Sequence, residues 1–557
     1  MGYEVGAERP ISPGKLPSGP ATGIDVQSAI TAINRVKATQ PRLNLELGHR
    51  RVPRNELLFW VRVDADGAPA SCFVANLARR DISIGIVEAA AEAGLDVGGL
   101  RDVTPTAAPR LIDRPLTLGP AEWRIFVLPH EIRDRPPARK AGPRPDRAGR
   151  DAPPSRLVIE HIYPEIDGGR YPVKRIVGDR LEVWADIFGD GHDVWRAALL
   201  SRAVGGTVWS SAPMRLHEND RWVGAVTLGE NRRYLYGIEA WADAYASWTH
   251  GLASKYDAGQ DVAPDLIEGR RLVSDAAARA TGDARRILAA TLAAAGEDAP
   301  IADRVNGLLA ADVGAAMAEW GARHNVTVAK ELEVVVDRPA ARFGSWYEMF
   351  PRSQGSRPGR SATFRDCIER LDDIRAMGFD VIYLVPIHPI GHTNRKGRNN
   401  ALTAAPDDPG SPYAIGSEAG GHDAIDPELG TLEDFRALVA ACHDRGMEVA
   451  LDFAVQCSLD HPWIKAHPEW FEFRPDGSIT YAENPPKKYQ DIVNLNLRGD
   501  GPMDLWEALR DIVLFWVGQG VRIFRVDNPH TKPFPFWEWL IRRVQDRHPD
   551  VIFLAEA

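Results

Sequence analysis

The sequence predicts a multidomain α/β chain. Residues 341–557 read as the first five strands of a (β/α)8-type barrel, preceded by a β-sandwich with a helical insert. Three observations predict it. From Ala341 onward, short apolar runs alternate with stretches of helical period, the pattern of a parallel sheet with helical crossovers. Between residues 156 and 249, short runs with period-two alternation recur between turn signals, as in an antiparallel sandwich. Polar residues fall just after the C-terminal apolar runs, where barrels of this kind carry their functional groups.

Composition sets the outer limits. The chain has 557 residues, 67 Lys+Arg against 77 Asp+Glu, and 44% hydrophobic residues. That length predicts roughly three or four domains, and the apolar fraction excludes a mainly disordered chain. A formal net charge of -10 argues against a general nucleic-acid binder. No stretch approaches the roughly 20 apolar residues of a membrane span. The N-terminal MGYEVGAERPISPGK lacks the apolar centre of a secretion signal. Cys72, Cys367, Cys442 and Cys457 are far apart with no CxxC pair, so neither a disulfide framework nor a zinc site is expected. The expectation is a cytoplasmic protein with reduced thiols, no metal and no cofactor.

The elements follow in order. Residues 1–40, with Pro10, Pro13, Pro17 and Pro20, read as irregular. Within an N-terminal extension of unknown role, residues 1–130, strands are expected at 57–61 and 123–127. A strand or helix is expected at 82–93. Residues 131–155 are rich in Pro and Arg with few apolar residues and read as a solvated linker. The sandwich spans 156–249, and most of its Trp184, Trp195, Trp209, Trp222, Trp241 and Trp248 are expected as core fillers. Residues 257–325, rich in Ala, Arg and Leu, favour helix, and their apolar stripes predict a helical insert over 250–326 that packs on a neighbouring element or on a second copy of the chain. A return strand lies in 327–340.

In the C-terminal part, strands are expected at 343–350, 381–385, 447–453, 521–526 and 551–554. Helices are expected at 363–376, 431–445, 504–519 and 536–546, with Thr431 as an N-cap and Gly446 as a stop. The stretch at about 457–500 is too long for a plain connection and reads as an inserted lobe. The strand ends carry His388, Asp452, Arg525, Asp527 and Glu556. Two carboxylates at successive strand ends suit a retaining glycosidic reaction, one as nucleophile and one as acid/base. Arg525 lies two residues before Asp527, on the same side of the strand, and its guanidinium keeps Asp527 ionised. Acidic residues at strand ends are also ordinary ion-pair formers, and spacing alone leaves both readings open.

The segments GVRIFRVDN (520–528) and FLAE (553–556) resemble two signature regions of the α-amylase clan, glycoside hydrolase family 13. More narrowly, the chain resembles the maltosyltransferases that extend α-1,4-glucans from α-maltose 1-phosphate. ARFGSWYEMFPRS (341–353), RKGRNNALTAAPDDPGSPYAIG (395–416), GGHDAI (420–425), NPPKKYQDI (484–492) and RVDNPHTKP (525–533) carry that likeness, which covers about residues 156–557. The resemblance implies Asp527 as the nucleophile and Glu556 as the proton donor. It implies that Lys396, Gln456, Asp491 and Asn528 hold the donor sugar. Asn484, Lys487, Tyr489 and Arg525 would stand on the phosphate side. It implies α-maltose 1-phosphate and an α-1,4-glucan as partners and a homodimer. Where many amylases have Asn-His after the strand-three Asp, this chain has Gln456-Cys457, so no calcium is expected.

The sequence stops one residue after Glu556, at five strands where a closed barrel needs eight. The expectation is therefore a C-terminally truncated fragment, inactive by itself and lacking the clan's third carboxylate after strand seven. A retaining α-glucan hydrolase, a trehalose-forming isomerase and a non-catalytic glucan-binding protein are the alternatives.

Overall fold

The computed structural model describes residues 26–40, 43, 48–63, 69–105, 110–111, 115–128, 139–140, 156–355, 360–498 and 503–556. The chain forms two compact units, Asp134–Arg338 and a discontinuous unit of Met1–Arg133 with Pro339–Ala557.

The discontinuous unit holds the site. Five parallel strands lie in sequential order, Trp346–Met349, Val381–Leu384, Glu448–Phe453, Ile523–Val526 and Ile552–Ala555. Their runs are nearly continuous in apolar residues because both faces are covered. One face sends Ile382, Leu384, Val449, Leu451, Phe524 and Val526 into a large core with the helices. The other carries Val381, Ala450, Ile523 and Ile552. The covering helices include Leu432–Asp444, Met503–Gly518 and Phe534–Gln545. Thr431 caps the first of these in a reciprocal box with Asp434. The helix expected over 363–376 is instead two, Phe364–Ile368 and Leu371–Ala376. A three-stranded sheet, Gln456–Cys457, Lys487–Asn494 and Tyr481–Asn484, follows the third strand.

The N-terminal extension contains a six-stranded sheet in the order Gly48–Arg51, Leu57–Val63, Pro69–Asn76, Trp123–Val127, Arg101–Asp102, Arg110–Leu111. The segment 82–93 supplies both a strand, Ile82–Ile84, and a helix, Ile86–Ala91. Residues 26–39, expected to be irregular, form a helix, Val26–Thr39. It begins beyond the last of the four prolines, and its tertiary contacts explain it. Ile30 packs on the core of the parallel sheet. Asn34 Nδ2 donates to Met377 O (3.0 Å), and Ser345 Oγ donates to Asn34 Oδ1 (2.7 Å). The Lys37 ammonium lies 3.5 Å over the Phe343 ring. Val36 meets Val103 and Val127 of the extension. Gly378, at φ +82°, allows this approach: a Cβ there would stand 2.8 Å from Asn34 Cβ.

In the other unit, a four-stranded and a seven-stranded sheet line one apolar core. The pairing is not wholly antiparallel, because Val173–Ile176 runs parallel to Leu332–Asp337. Arg139–Lys140, expected as linker, pairs with Ser210–Ser211; the rest of the linker lies outside the described residues. Five helices from Ala244 to Trp320 build a second core. Residues 323–326, expected within the helical insert, belong to the strand Arg323–Val328. The tryptophans correct the expectation of core fillers. Trp222 and Trp248 are buried, whereas Trp184, Trp195, Trp209 and Trp241 are half-buried. Arg323 and Arg202 lie over Trp241 and Trp209 at 4.0 and 4.8 Å, a cation–π arrangement suited to a sheet's outer edge.

Among the described residues no helix is long and apolar enough to cross a membrane. All four cysteines are free and buried.

Candidate active site

Register assembles the centre of the site. In the parallel ladder Asp452 pairs with Arg525, and alternation puts Tyr383, Asp452, Arg525 and Asp527 toward the face that carries Val381 and Ala450. Backbone bonds extend the ladder past the strand ends: Asp527 N–H donates to Phe453 O and Glu556 N–H to Val526 O. The side chains therefore stand on stiff supports.

Arg525 holds the cluster together. Its Nη1 donates to Asp452 Oδ2 (2.8 Å) and Asp527 Oδ1 (3.0 Å), and its Nη2 meets Glu556 Oε1 at 2.7 Å. Burial alone would lower its pKa, but the surrounding charges, Asp452 first, push it up. Asp452 Oδ2 also accepts from Tyr383 OH (2.5 Å) and Tyr413 OH (2.9 Å), while its buried Oδ1 has no hydrogen-bond partner among the described residues. Burial raises the Asp452 pKa to about 6 against the pull of Tyr383 and Arg525.

Asn528 ties the two other carboxylates. It sits in the left-handed region (φ 44°, ψ 52°), which Asn tolerates better than most residues. Its backbone N–H donates to Glu556 Oε2 (3.0 Å) and its Nδ2 to Asp527 Oδ2 (3.2 Å). Burial pushes the Asp527 carboxyl up, and Glu556 adds to it, against Asn528 and Arg525. The Asn528 N–H holds Glu556 below the usual carboxylate range, with Arg525 assisting. In this arrangement Asp527 is displaced upward and Glu556, the expected proton donor, downward from their ordinary values.

The remaining expected residues fall into three places. Gln456 joins the cluster indirectly, its Nε2 donating to Tyr413 O (3.4 Å). Lys396 and Asp491 are buried together; Asn394 Nδ2, donating to Gln490 O (3.1 Å), ties their segments. Asp491 Oδ1 has no hydrogen-bond partner among the described residues, and burial raises the Asp491 pKa against the charge of Lys396. Asn484, Lys487 and Tyr489 are exposed on the hairpin Tyr481–Asn494, and none hydrogen-bonds to Arg525.

Sequence reasoning missed Tyr383 and Tyr413. Tyr383 is hidden inside an apolar run, and its sidedness in that run is the signal that marks it. Tyr413 comes from a loop with no local signal. His388 is buried, its Nδ1 bonded to Ala424 O (3.1 Å). Beside it Trp463 N–H donates to His461 Nδ1 (3.1 Å), His461 Nε2–H to His422 Nδ1 (3.2 Å), and His422 Nε2–H to Ala454 O (3.0 Å). Burial lowers His388, His422 and His461 to about 3, 4 and 2, so all three are neutral scaffold. Cys457 completes a metal-type donor group with His422 and His461. The imidazoles already satisfy one another in a single chain of protons, and that does not fit an ion.

Comparison with known proteins adds to this geometry. Residues 155–338 match the family described as α-1,4-glucan:maltose-1-phosphate maltosyltransferase, domain N/S. Residues 348–492 match the α-amylase catalytic domain. An α-1,4-glucan:maltose-1-phosphate maltosyltransferase of Cereibacter sphaeroides is 53% identical over 403 residues, 72% of this chain and 68% of the relative. That of Rhodospirillum rubrum is 52% identical over 416 residues, 72% of this chain and 60% of the relative. That of Chlorobaculum tepidum is 49% identical over 438 residues, 78% of this chain and 62% of the relative. The chain thus spans 60 to 68% of the length of these relatives.

Proposed function

The chain belongs to the α-1,4-glucan:maltose-1-phosphate maltosyltransferase family, and on that premise we propose that it transfers maltosyl units from α-maltose 1-phosphate to the non-reducing end of α-1,4-glucans. The reaction is a retaining double displacement within an α-amylase-type (β/α)8 barrel, to which the five strands contribute. The observation that carries this reading is the Arg525 guanidinium shared by Asp452, Asp527 and Glu556. It sets two carboxylates at successive strand ends around one reaction centre.

Asp527 attacks the anomeric carbon, the C1–O bond to phosphate breaks, and Glu556 gives its proton to the leaving oxygen. An acceptor 4-hydroxyl then attacks the β-maltosyl-enzyme, and Glu556 takes the hydroxyl proton back. Glu556 must first become protonated, although Asn528 and Arg525 hold it anionic. A phosphate beside the cluster supplies the change. Its negative charge competes for Arg525 and raises the Glu556 pKa while Asp527 becomes the guanidinium's main partner. Lys396, Gln456, Asp491 and Asn528 hold the donor sugar, and the unpartnered Asp491 Oδ1 is free to accept a sugar hydroxyl. Asn484, Lys487 and Tyr489 close from the hairpin on the phosphate side.

We place the enzyme in the cytoplasm, consistent with four unpaired cysteines. It acts as a homodimer through the helical segment, where Ile267 and Ile301 are 65% and 49% exposed. A monomeric mass by light scattering would overturn the dimer. The test of function is phosphate release on adding glycogen and α-maltose 1-phosphate to the complete gene product, beside residues 1–557 alone. Acceptor-dependent phosphate with lengthening of the glucan supports the reading. Glucan hydrolysis without phosphate release makes the protein a hydrolase.

A further inference from the structure

The charge around the nucleophile does not balance for an anionic donor. One guanidinium, Arg525, faces three carboxylates, so a phosphate approaching it meets an excess of negative charge. Lys487 is exposed on its hairpin. A different cation is built beside Asp527. Lys532 is only 9% exposed, and burial lowers its pKa while the Asp527 charge opposes that. Among the described residues its ammonium has one hydrogen-bond partner, the Thr531 hydroxyl (2.9 Å), which itself donates to Asn528 O (2.8 Å). Two of its three N–H donors are unused. The turn Pro529–Thr531 joins Lys532 to Asn528, the residue that holds both Asp527 and Glu556. A buried ammonium with spare donors is costly unless an anion completes it.

We propose that Lys532 is a further donor-binding residue, whose ammonium takes an oxygen of the departing phosphate. This rests on the maltosyltransferase reading above. The lysine gives hydrogen bonds and charge only. The electron pair of the C1–O bond goes to phosphate and the proton comes from Glu556.

The experiment compares two donors that share the same sugar, α-maltose 1-phosphate and α-maltosyl fluoride, on the complete gene product. Lys532→Met is expected to raise the KM for the phosphate donor at least about tenfold and to leave the fluoride within about twofold. Equal losses on both donors, or no loss on either, overturn the assignment. Should Lys532→Met lose its cooperative thermal transition, Lys532→Gln is read by the same criterion. An unmutated enzyme that uses the fluoride but not the phosphate overturns the functional reading instead.

Discussion

Arg525 is the residue on which the site turns, and its neighbours respond to it in measurable ways. In the complete enzyme, Asp527→Ala is expected to lower turnover by on the order of 10⁴-fold while calorimetry still detects donor. Retained turnover would move the nucleophile elsewhere. Arg525→Met leaves Asp452 and Asp527 buried without their cation and is expected to cost about 3 kcal/mol in denaturant unfolding; an unchanged midpoint would contradict this. Asp452 gives a pH signature. Its folded pKa of about 6 lies above the unfolded value, so the folded state binds the proton more tightly. Its stabilising contribution is complete below about pH 4 and is lost as pH rises through about 6. Asp452→Asn is expected to remove that part of the pH dependence of Tm, and a wild-type slope in the variant would refute it. Asp527 and Glu556 were legible as paired carboxylates at strand ends. The opposite directions of their shifts were not, because that of Glu556 depends first on one backbone N–H, that of Asn528, in a left-handed conformation that sequence does not display.

Among the elements, strands buried on both faces were read best, since a run such as 448–453 has few other solutions. Thr431 was legible as a cap because its partner lies three residues on. Thr431→Ala is expected to cost about 1 kcal/mol, read as a shift in the urea midpoint with unchanged slope. The helix Val26–Thr39 was not legible. Its inward side carries Asn34 and Lys37 as well as Ile30 and Val36; the partners of Ile30, Asn34 and Lys37 lie beyond residue 340, and those of Val36 at 103 and 127. The break between 368 and 371 was also hidden, as the apolar period continues across it. Gly378→Ala adds a strained φ and a Cβ 2.8 Å from Asn34. It is expected to destabilise by about 1–2 kcal/mol, and an unchanged midpoint in the same urea titrations would refute the close approach.

At the scale of the whole molecule, a continuous unit interrupts a discontinuous one. Asp134–Arg338 carries its own sheets and two apolar cores. Expressed alone, it is expected to unfold cooperatively with heat, and a transition without cooperativity would count against its independence. The discontinuous unit was the harder one to foresee, because nothing in residues 1–130 announces that they group with 339–557. The Asn34–Ser345 bond spans 311 positions, and this has a consequence during synthesis. Ribosomes add ~5–20 residues per second, so the first helix emerges ~15–60 s before its acceptor surface. The inserted unit has time to fold completely in that interval, while the amino-terminal helix waits without its partner. A nascent chain stalled before residue 340 should therefore leave the Val26–Thr39 segment open to protease and to chaperones. One stalled well after residue 380, far enough to clear the exit tunnel, should protect it.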